Sequence, residues 1–393
     1  MSLTARDPRA PFALVSGAPA RGRRGAGFDW LLAAAALALA LVGALLVWAA
    51  TRDAERVAGN DPNGYLYRHL SNVLIAAVLM IAASRLDGRL LQMSGPVCYL
   101  AAVLGLLMVF PFGTTVNGAH AWIRLGGGFE VQPSEFMKLG LVLGLAVLFT
   151  KRARARDPSR PPTSLDVVLA LGLIALPVGL ITLQPDLGSA MVLAAAAFGV
   201  LLAAGVRARW TVGLLIVAVV VAVVAVQSGL LADYQLARFA SFINPNRDVQ
   251  GVAYNITQAH IAIANGGLFG TGLFRGPQTN GGYVPEQRTD FVFSVAGEEF
   301  GLVGATVIIA LFAVLCWRGL RIARRADRPG QLIAVGVVCW FAFQAFQNIG
   351  MNLGLMPVTG LPLPFVSYGG SSMFAQALAV GVMEAVHRSS VAE

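Results

Sequence analysis

The stretch Tyr283-Val-Pro-Glu-Gln-Arg-Thr-Asp-Phe-Val-Phe-Ser-Val-Ala-Gly-Glu-Glu-Phe-Gly-Leu-Val-Gly304 is a seam. Before it lies the longest polar interval of the chain, about residues 230 to 290. After it begins an apolar run long enough to cross a membrane. Asp290 stands where the two meet. A helix starting near Thr289 puts Asp290 in its first turn, where the positive end of the dipole favours a carboxylate. Asp290 is then either a helix cap or a general base held at a membrane surface, and the rest of the chain decides between these.

Outward from the seam, apolar runs of about 20 residues recur, the length needed to span a bilayer. The chain has 393 residues, 56% of them hydrophobic and 12% charged. Soluble chains carry about 25% charged residues. The expected fold is therefore an all-α polytopic membrane protein with about ten transmembrane helices. Their expected positions are 30–50, 66–84, 95–112, 133–150, 164–183, 187–205, 211–229, 291–316, 331–351 and 368–386. A large extracytoplasmic loop, 230–290, separates helices 7 and 8. Residues 1–29 read as a disordered basic cytoplasmic tail, 30–387 as the transmembrane domain and 388–393 as a cytoplasmic C-terminal tail. The first apolar run is too long for a signal-peptide core and many spans follow it, so it reads as a retained helix.

The formal charge of +9 raises the question of nucleic acid. Most of the 29 Lys and Arg residues instead cluster on alternate connections, as at Lys151-Arg-Ala-Arg154 and Arg318 to Arg328. By the positive-inside rule those connections and both termini are cytoplasmic, and no nucleic-acid partner is implied. Cys98, Cys316 and Cys339 lie inside apolar runs and read as small hydrophobes, with neither disulfides nor a zinc site. No internal repeat is evident, which disfavours repeat-built transporters.

This topology puts four polar stretches on the outer face, so any chemistry faces outward. In Gln132-Pro-Ser-Glu-Phe-Met-Lys138, Glu135 and Lys138 share a helix face. An ionisable group a turn inside a span is a functional candidate because its burial is expensive. Asp186 in Gln184-Pro-Asp-Leu-Gly188 is a turn cap, or an anchor for a cation or a neighbouring loop. Glu298 and Glu299 cannot both face lipid cheaply, so at least one must meet Lys138, an Arg or a helix end. In the long loop, Asp233 to Phe242 reads as an interfacial amphipathic helix and Ala253 to Asn265 as a second amphipathic segment. Gly266 to Gly272 and Gln278 to Gly282 make a poor nucleotide motif, since no strand precedes them and no Gly-Lys-Ser follows. They read as flexible loop near a substrate head group. Ser367-Tyr-Gly-Gly-Ser-Ser372 lacks the Gly-x-Ser-x-Gly elbow. With the prolines before it, it reads as a broken or re-entrant segment, tolerated at membrane depth only against protein or water.

Five motifs together resemble the SEDS family of membrane proteins (shape, elongation, division and sporulation), with wording closer to its RodA branch than to FtsW. They are Trp122-Ile-x-Leu-Gly, Gln132-Pro-Ser-Glu-Phe-x-Lys138, Gln184-Pro-Asp-Leu-Gly188, Pro285 to Gly301, and Asn348-Ile-Gly-Met through Pro364-Phe-Val-Ser-Tyr-Gly-Gly-Ser-Ser372. The resemblance implies a peptidoglycan glycosyltransferase of the bacterial cytoplasmic membrane that polymerises lipid II on the outer leaflet during cell elongation. It also implies a class B penicillin-binding protein as transpeptidase partner. It matches the catalytic aspartate to Asp290, and marks Glu135, Lys138 and Asp186 as important. Trp122 and Ser367 join these as substrate-binding candidates, with Pro285, Glu298 and Glu299 in supporting roles. Many relatives carry a basic residue beside the Trp, where this chain has His120-Ala121. Lys138 and Arg124 are then the first candidates to meet the pyrophosphate, with Arg288 or a divalent cation (Mg or Mn) behind them. A lipid II flippase using the same charges, and a pure scaffold for a partner enzyme, are the rival readings.

Overall fold

The computed structural model describes residues 27–116, 118–126, 129–155, 161–227 and 252–392. Most of the N-terminal tail and the amphipathic segment from Asp233 to Phe242 lie outside the described residues. All ten expected spans coincide with helices: α1 (Trp30–Val57), α2 (Gly64–Ser84), α3 (Gly88–Phe112), α4 (Pro133–Arg154), α5 (Ser164–Leu183), α6 (Leu187–Ala203), α7 (Ala208–Gln227), α10 (Val292–Arg325), α11 (Arg328–Asn352) and α12 (Gly370–Ala392). Seven of them are long and apolar enough to cross a membrane by length and composition alone. Among the described residues two short helices lie between α7 and α10: α8 (Val252–Gly266), where an amphipathic segment was expected, and α9 (Pro277–Asn280).

The fold is not purely helical. Gly113–Val116 (β1), Ala119–Gly126 (β2) and Phe129–Val131 (β3) form an antiparallel sheet in the order β1-β2-β3. Thr114 opposes Trp122 and Arg124 opposes Glu130. The sequence reading treats this stretch as a polar loop. Its β-branched and aromatic residues around an Asn-Gly turn are a hairpin signal, and Gly118 takes the positive φ of +85° that such a turn requires.

The helices pack around α4, whose apolar window is 89% buried, against 22% for α10. Between helices in lipid there is little hydrophobic drive, so close packing and polar contacts must hold the bundle. The segment from Leu353 to Gly369, between α11 and α12, is non-helical, yet Val358, Leu361, Leu363, Phe365 and Val366 are buried. It presses on α1 so closely that a Cβ at Gly43 would lie 2.7 Å from Val366 Cα. The broken segment foreseen around Ser367 is thus a re-entrant wedge inside the bundle.

At one end of the bundle, Arg318 of α10 holds Asp29, which caps α1, through Nε at 3.0 Å. The Asp29 amide donates to Glu384 of α12 at 2.9 Å, and Arg388 donates to the Ser84 carbonyl at 2.9 Å. The start of α1 and the end of α12 therefore meet at the same end, as an even number of spans requires.

Candidate active site

The seam folds as a turn before it becomes a helix. The carbonyl of Glu286 accepts the amides of Thr289, Asp290 and Phe291 at 3.1, 3.0 and 3.2 Å. Gln287, buried, donates to the carbonyls of Ala50 at 2.6 Å and Thr279 at 3.1 Å. Pro285 is exposed in this turn. The helix α10 starts only at Val292, with Phe291 at its N-cap and no side-chain cap. This corrects the expectation that Asp290 lies in the first helical turn: its amide is taken by the preceding turn, and its carbonyl by another helix. Asn348 Nδ2 and Asn352 Nδ2 of α11 donate to the Asp290 carbonyl at 2.8 and 3.1 Å. Asn352 Oδ1 also accepts the Ser294 amide at 3.1 Å. The half-buried Asp290 is thus gripped by its backbone from α11.

The wedge grips the same turn from the other side. Ser367, 3% exposed, donates its hydroxyl to the Thr289 carbonyl and accepts the Leu363 amide at 2.8 Å. The Tyr368 amide donates to the Arg288 carbonyl at 2.9 Å. The Ser367 hydroxyl, expected as a substrate-binding group, is therefore engaged in positioning the Asp290 turn. The wedge's own backbone is satisfied by buried amides, because an unpaired carbonyl at that depth is costly. Gln344 donates to Pro362 O at 2.8 Å, Gln347 to Pro357 O at 3.0 Å and Asn348 to Leu361 O at 2.7 Å.

Through Gln344 the network reaches α4. Lys138, 0% exposed, donates Nζ to Glu135 Oε1 at 2.6 Å and to Gln344 Oε1 at 3.1 Å, and sits 5.5 Å from the Trp340 ring centroid. Trp340 donates to the same Gln344 oxygen at 2.7 Å. The charge of Lys138, expected to meet a substrate pyrophosphate, is here enclosed and paired with Glu135, and the contact to Gln344 braces α4 to α11.

Partly exposed positive charge occurs at the rim instead. Arg288, two residues before Asp290, donates Nη1 to the Tyr65 hydroxyl at 3.0 Å and lies 4.7 Å from that ring's centroid. Arg68, a turn along α2, lies 5.8 Å from the same centroid. Tyr368 packs edge-on against Tyr65 at 5.2 Å. Sequence reasoning reached Arg288 but missed Tyr65, Arg68 and Tyr368. An Arg and a Tyr one turn apart at the start of α2 were the only available signal.

The other candidates do not join this cluster through any observed contact. Arg124 is 63% exposed and pairs with Glu130 at 2.9 Å across the hairpin. Trp122, half-buried in β2, accepts the Thr114 hydroxyl on its carbonyl at 3.3 Å. Asp186 caps α6 by accepting the Ser189 amide at 3.0 Å and also accepts Gln132 Nε2 at 2.8 Å, so it ties the starts of α4 and α6 together. Glu298 meets a helix end, as the burial argument required: it accepts the amides of Gln278 and Thr279 at 2.9 and 2.8 Å. Glu299 accepts the Phe274 amide at 3.1 Å.

The glycine-rich loop is no flexible cradle. At Gly301 (φ 64°, ψ −160°) α10 breaks, and the loop fills the break. Thr271 N and Gly272 N donate to the carbonyls of Glu298 and Glu299 at 2.9 and 3.1 Å, while Leu302 N and Val303 N donate to the carbonyls of Gly267 and Leu268 at 2.9 and 3.1 Å. Among the described residues, no group of three or more His, Cys, Asp or Glu side chains is placed to hold a metal ion.

The turn that carries Asp290 is thus gripped by α11 on one side and the wedge on the other, with Arg288 two residues away on the Tyr65 ring. The chain belongs to the FtsW/RodA/SpoVE family of cell cycle proteins, whose model matches residues 29–392. It is 35% identical over 352 residues to peptidoglycan glycosyltransferase MrdB of Escherichia coli, covering 89% of this chain and 91% of that one. Stage V sporulation protein E of Bacillus subtilis is 36% identical over 372 residues, covering 92% and 97%. Among solved structures, RodA of Thermus thermophilus superposes with a TM-score of 0.67 at 30% identity, over 92% of this chain and 97% of that one. A chain from the structure described as "Structural coordination of polymerization and crosslinking by a peptidoglycan synthase complex" superposes with a TM-score of 0.76 at 32% identity, over 93% and 99%.

Proposed function

We propose that this protein is a RodA-like peptidoglycan glycosyltransferase that polymerises lipid II at the outer face of the bacterial cytoplasmic membrane during elongation, with both termini cytoplasmic. Its relatives named as peptidoglycan glycosyltransferases, aligned over nearly their whole length, support the activity. The observation that carries the site is the double grip on the Asp290 turn, from Asn348 and Asn352 on one side and Ser367 on the other, with Arg288 beside it.

In this reading the acceptor's GlcNAc 4-hydroxyl attacks the anomeric carbon of the donor's MurNAc. Asp290 takes the hydroxyl proton as general base. The bond from the anomeric carbon to the pyrophosphate breaks as the new glycosidic bond forms, and undecaprenyl pyrophosphate leaves with its electron pair. Arg288 and Arg68 stabilise that departing charge, a role for which an aligned guanidinium fork is well suited. Lys138 and Glu135 act at one remove, by fixing Gln344 and with it the wedge. A class B penicillin-binding protein is the expected partner, consistent with the similarity to a chain of a complex that couples polymerization to crosslinking.

The test is lipid II polymerisation by the purified protein with its penicillin-binding partner, the partner's transpeptidase serine blocked. Polymer from the wild type and none from a folded, partner-bound Asp290→Asn supports the reading. Equal polymer from both leaves Asp290 a structural residue. No polymer from the wild type, with lipid II flipping intact in liposomes, favours transport.

A further inference from the structure

Two consecutive residues of the wedge hold two consecutive residues of the seam. Ser367 donates its hydroxyl to the Thr289 carbonyl, and the Tyr368 amide donates to the Arg288 carbonyl at 2.9 Å. The main chain of Arg288 is thereby fixed from the wedge, and its side chain is fixed from α2. Arg288 Nη1 donates to the Tyr65 hydroxyl at 3.0 Å, and its guanidinium carbon stands 4.7 Å from the centroid of the same ring. The two tyrosines then meet each other edge to face, with centroids 5.2 Å apart and planes at 73°. Arg288, Tyr368 and Tyr65 thus close a circuit: backbone to backbone, ring to ring, hydroxyl to guanidinium.

Satisfying a buried donor is the usual reason for such a bond. It does not account for this one. Tyr65 and Arg288 are half-buried, so the guanidinium keeps access to solvent. An arginine in that position gains little stability from a partner and loses much rotamer freedom when it is held in one place. A guanidinium offers several N–H donors in a planar fork that matches a phosphate, and the Tyr65 bond takes one of them. Arg68, 5.8 Å from the centroid of the Tyr65 ring, brings a second guanidinium to the same phenol. Two cations drawn to one ring are held together against their repulsion, an arrangement that a diphosphate completes. The Asp290 turn begins two residues after the fixed guanidinium's own Cα, so anion site and carboxylate keep one relation to each other.

We infer that Tyr65 is a positioning residue: its hydroxyl and ring hold the Arg288 guanidinium ready for the diphosphate of a lipid-linked donor before that substrate arrives. The identity of the donor rests on the glycosyltransferase reading; the circuit does not. Without Tyr65, the order that Arg288 has in the free protein must be supplied on binding, in the ground state and the transition state alike. Its loss therefore raises KM and leaves kcat alone.

Tyr65→Phe keeps the ring and its contact with Tyr368 and deletes the acceptor. Lipid II polymerisation is measured for the wild type, Tyr65→Phe, Arg288→Lys and the double variant, each with the penicillin-binding partner whose transpeptidase serine is blocked. The expected result for Tyr65→Phe is a KM raised about three- to tenfold, the effect of ordering one arginine side chain, with kcat and melting temperature unchanged. The inhibition constant of undecaprenyl pyrophosphate rises by the same factor. In the Arg288→Lys background the same change raises KM no further, because Tyr65 acts through the guanidinium. A fall in kcat at constant KM, an unchanged KM, or full additivity in the double variant overturns the inference. A second arm needs no turnover. In protein carrying isotope-labelled arginine, the Arg288 Nε–H signal is assigned by its loss in Arg288→Lys. It is expected to be rigid in the wild type, mobile on the ps–ns timescale in Tyr65→Phe, and shifted by undecaprenyl pyrophosphate in both. Equal rigidity in the two proteins overturns the inference. So does a wild-type signal as mobile as that of the exposed Arg124, an observation that needs no variant to fold. A wild type whose rigid Arg288 signal shifts with undecaprenyl pyrophosphate, yet which makes no polymer, sinks the glycosyltransferase reading and supports the positioning role of Tyr65.

Discussion

Two regions hold carboxylates and cations side by side, and they do opposite things with them. In the interior, Glu135 and Lys138 are 1% and 0% exposed and neutralise each other at 2.6 Å. At the rim, Arg288 rests on the Tyr65 ring while Asp290, half-buried, is held by its backbone. A buried pair contributes order and tolerates no missing partner. A rim carboxylate fixed through its main chain sits in a turn whose place is set by α11 and the wedge. The contrast sets Lys138, read from the sequence as a candidate to bind the pyrophosphate, in a closed ion pair, and leaves Arg288 on the partly exposed side.

The comparison can be broken in graded ways. The largest effect is expected for Asp290→Asn: a fall in kcat of about 10²–10⁴-fold with an unchanged melting temperature in detergent. Next is Lys138→Met, which strands the Glu135 carboxylate and costs about 3–5 kcal/mol of stability. Adding Glu135→Gln should restore most of the melting temperature. A Lys138→Met protein that melts normally but fails to polymerise would move Lys138 to the substrate side of the divide. Asn348→Ala removes two hydrogen bonds from buried carbonyls and should cost about 1–3 kcal/mol, with kcat falling alongside, because the Asp290 turn loosens. Arg288→Lys keeps the charge but loses the planar fork and stacking; lipid II titrations should show KM rising several-fold with little change in melting temperature. The smallest effect is Arg124→Ala, whose exposed pair with Glu130 contributes about 0–1 kcal/mol. A strong polymerisation defect there would return the hairpin to the substrate path.

Much of this was legible in the chain. The ten apolar runs gave ten helices because span length and hydropathy are local properties. That one of Glu298 and Glu299 must find Lys138, an Arg or a helix end followed from burial cost alone, and Glu298 finds the helix end. What remained hidden depends on partners far away in sequence. Arg288 and Tyr65 are 223 residues apart, and Lys138 and Gln344 are 206 apart. No periodicity predicts which glutamine will share a lysine, so the consumption of the Lys138 charge could not be read. The hold of Ser367 on the Thr289 carbonyl was hidden for the same reason, since the two residues are 78 apart. The sheet was missed because its outer strands, of four and three residues, are too short for a clear alternation beside the eight-residue β2. The start of α10 was placed one to three residues early because the turn at Glu286 captures the amides that a helix would otherwise begin with.

The break at Gly301 has a mechanical meaning. Four hydrogen bonds from the Gly267–Gly272 loop straddle it, two to carbonyls on the near side and two from amides on the far side. The loop is a splint set across a fracture, and it fixes how far the two pieces can slide. Its span cannot be altered by a single residue without losing register on one side, so the tolerance for insertion that surface loops usually enjoy should stop abruptly at Gly266. A force applied to α8 is handed through the splint to both pieces of α10 at once, and so to the turn that carries Asp290.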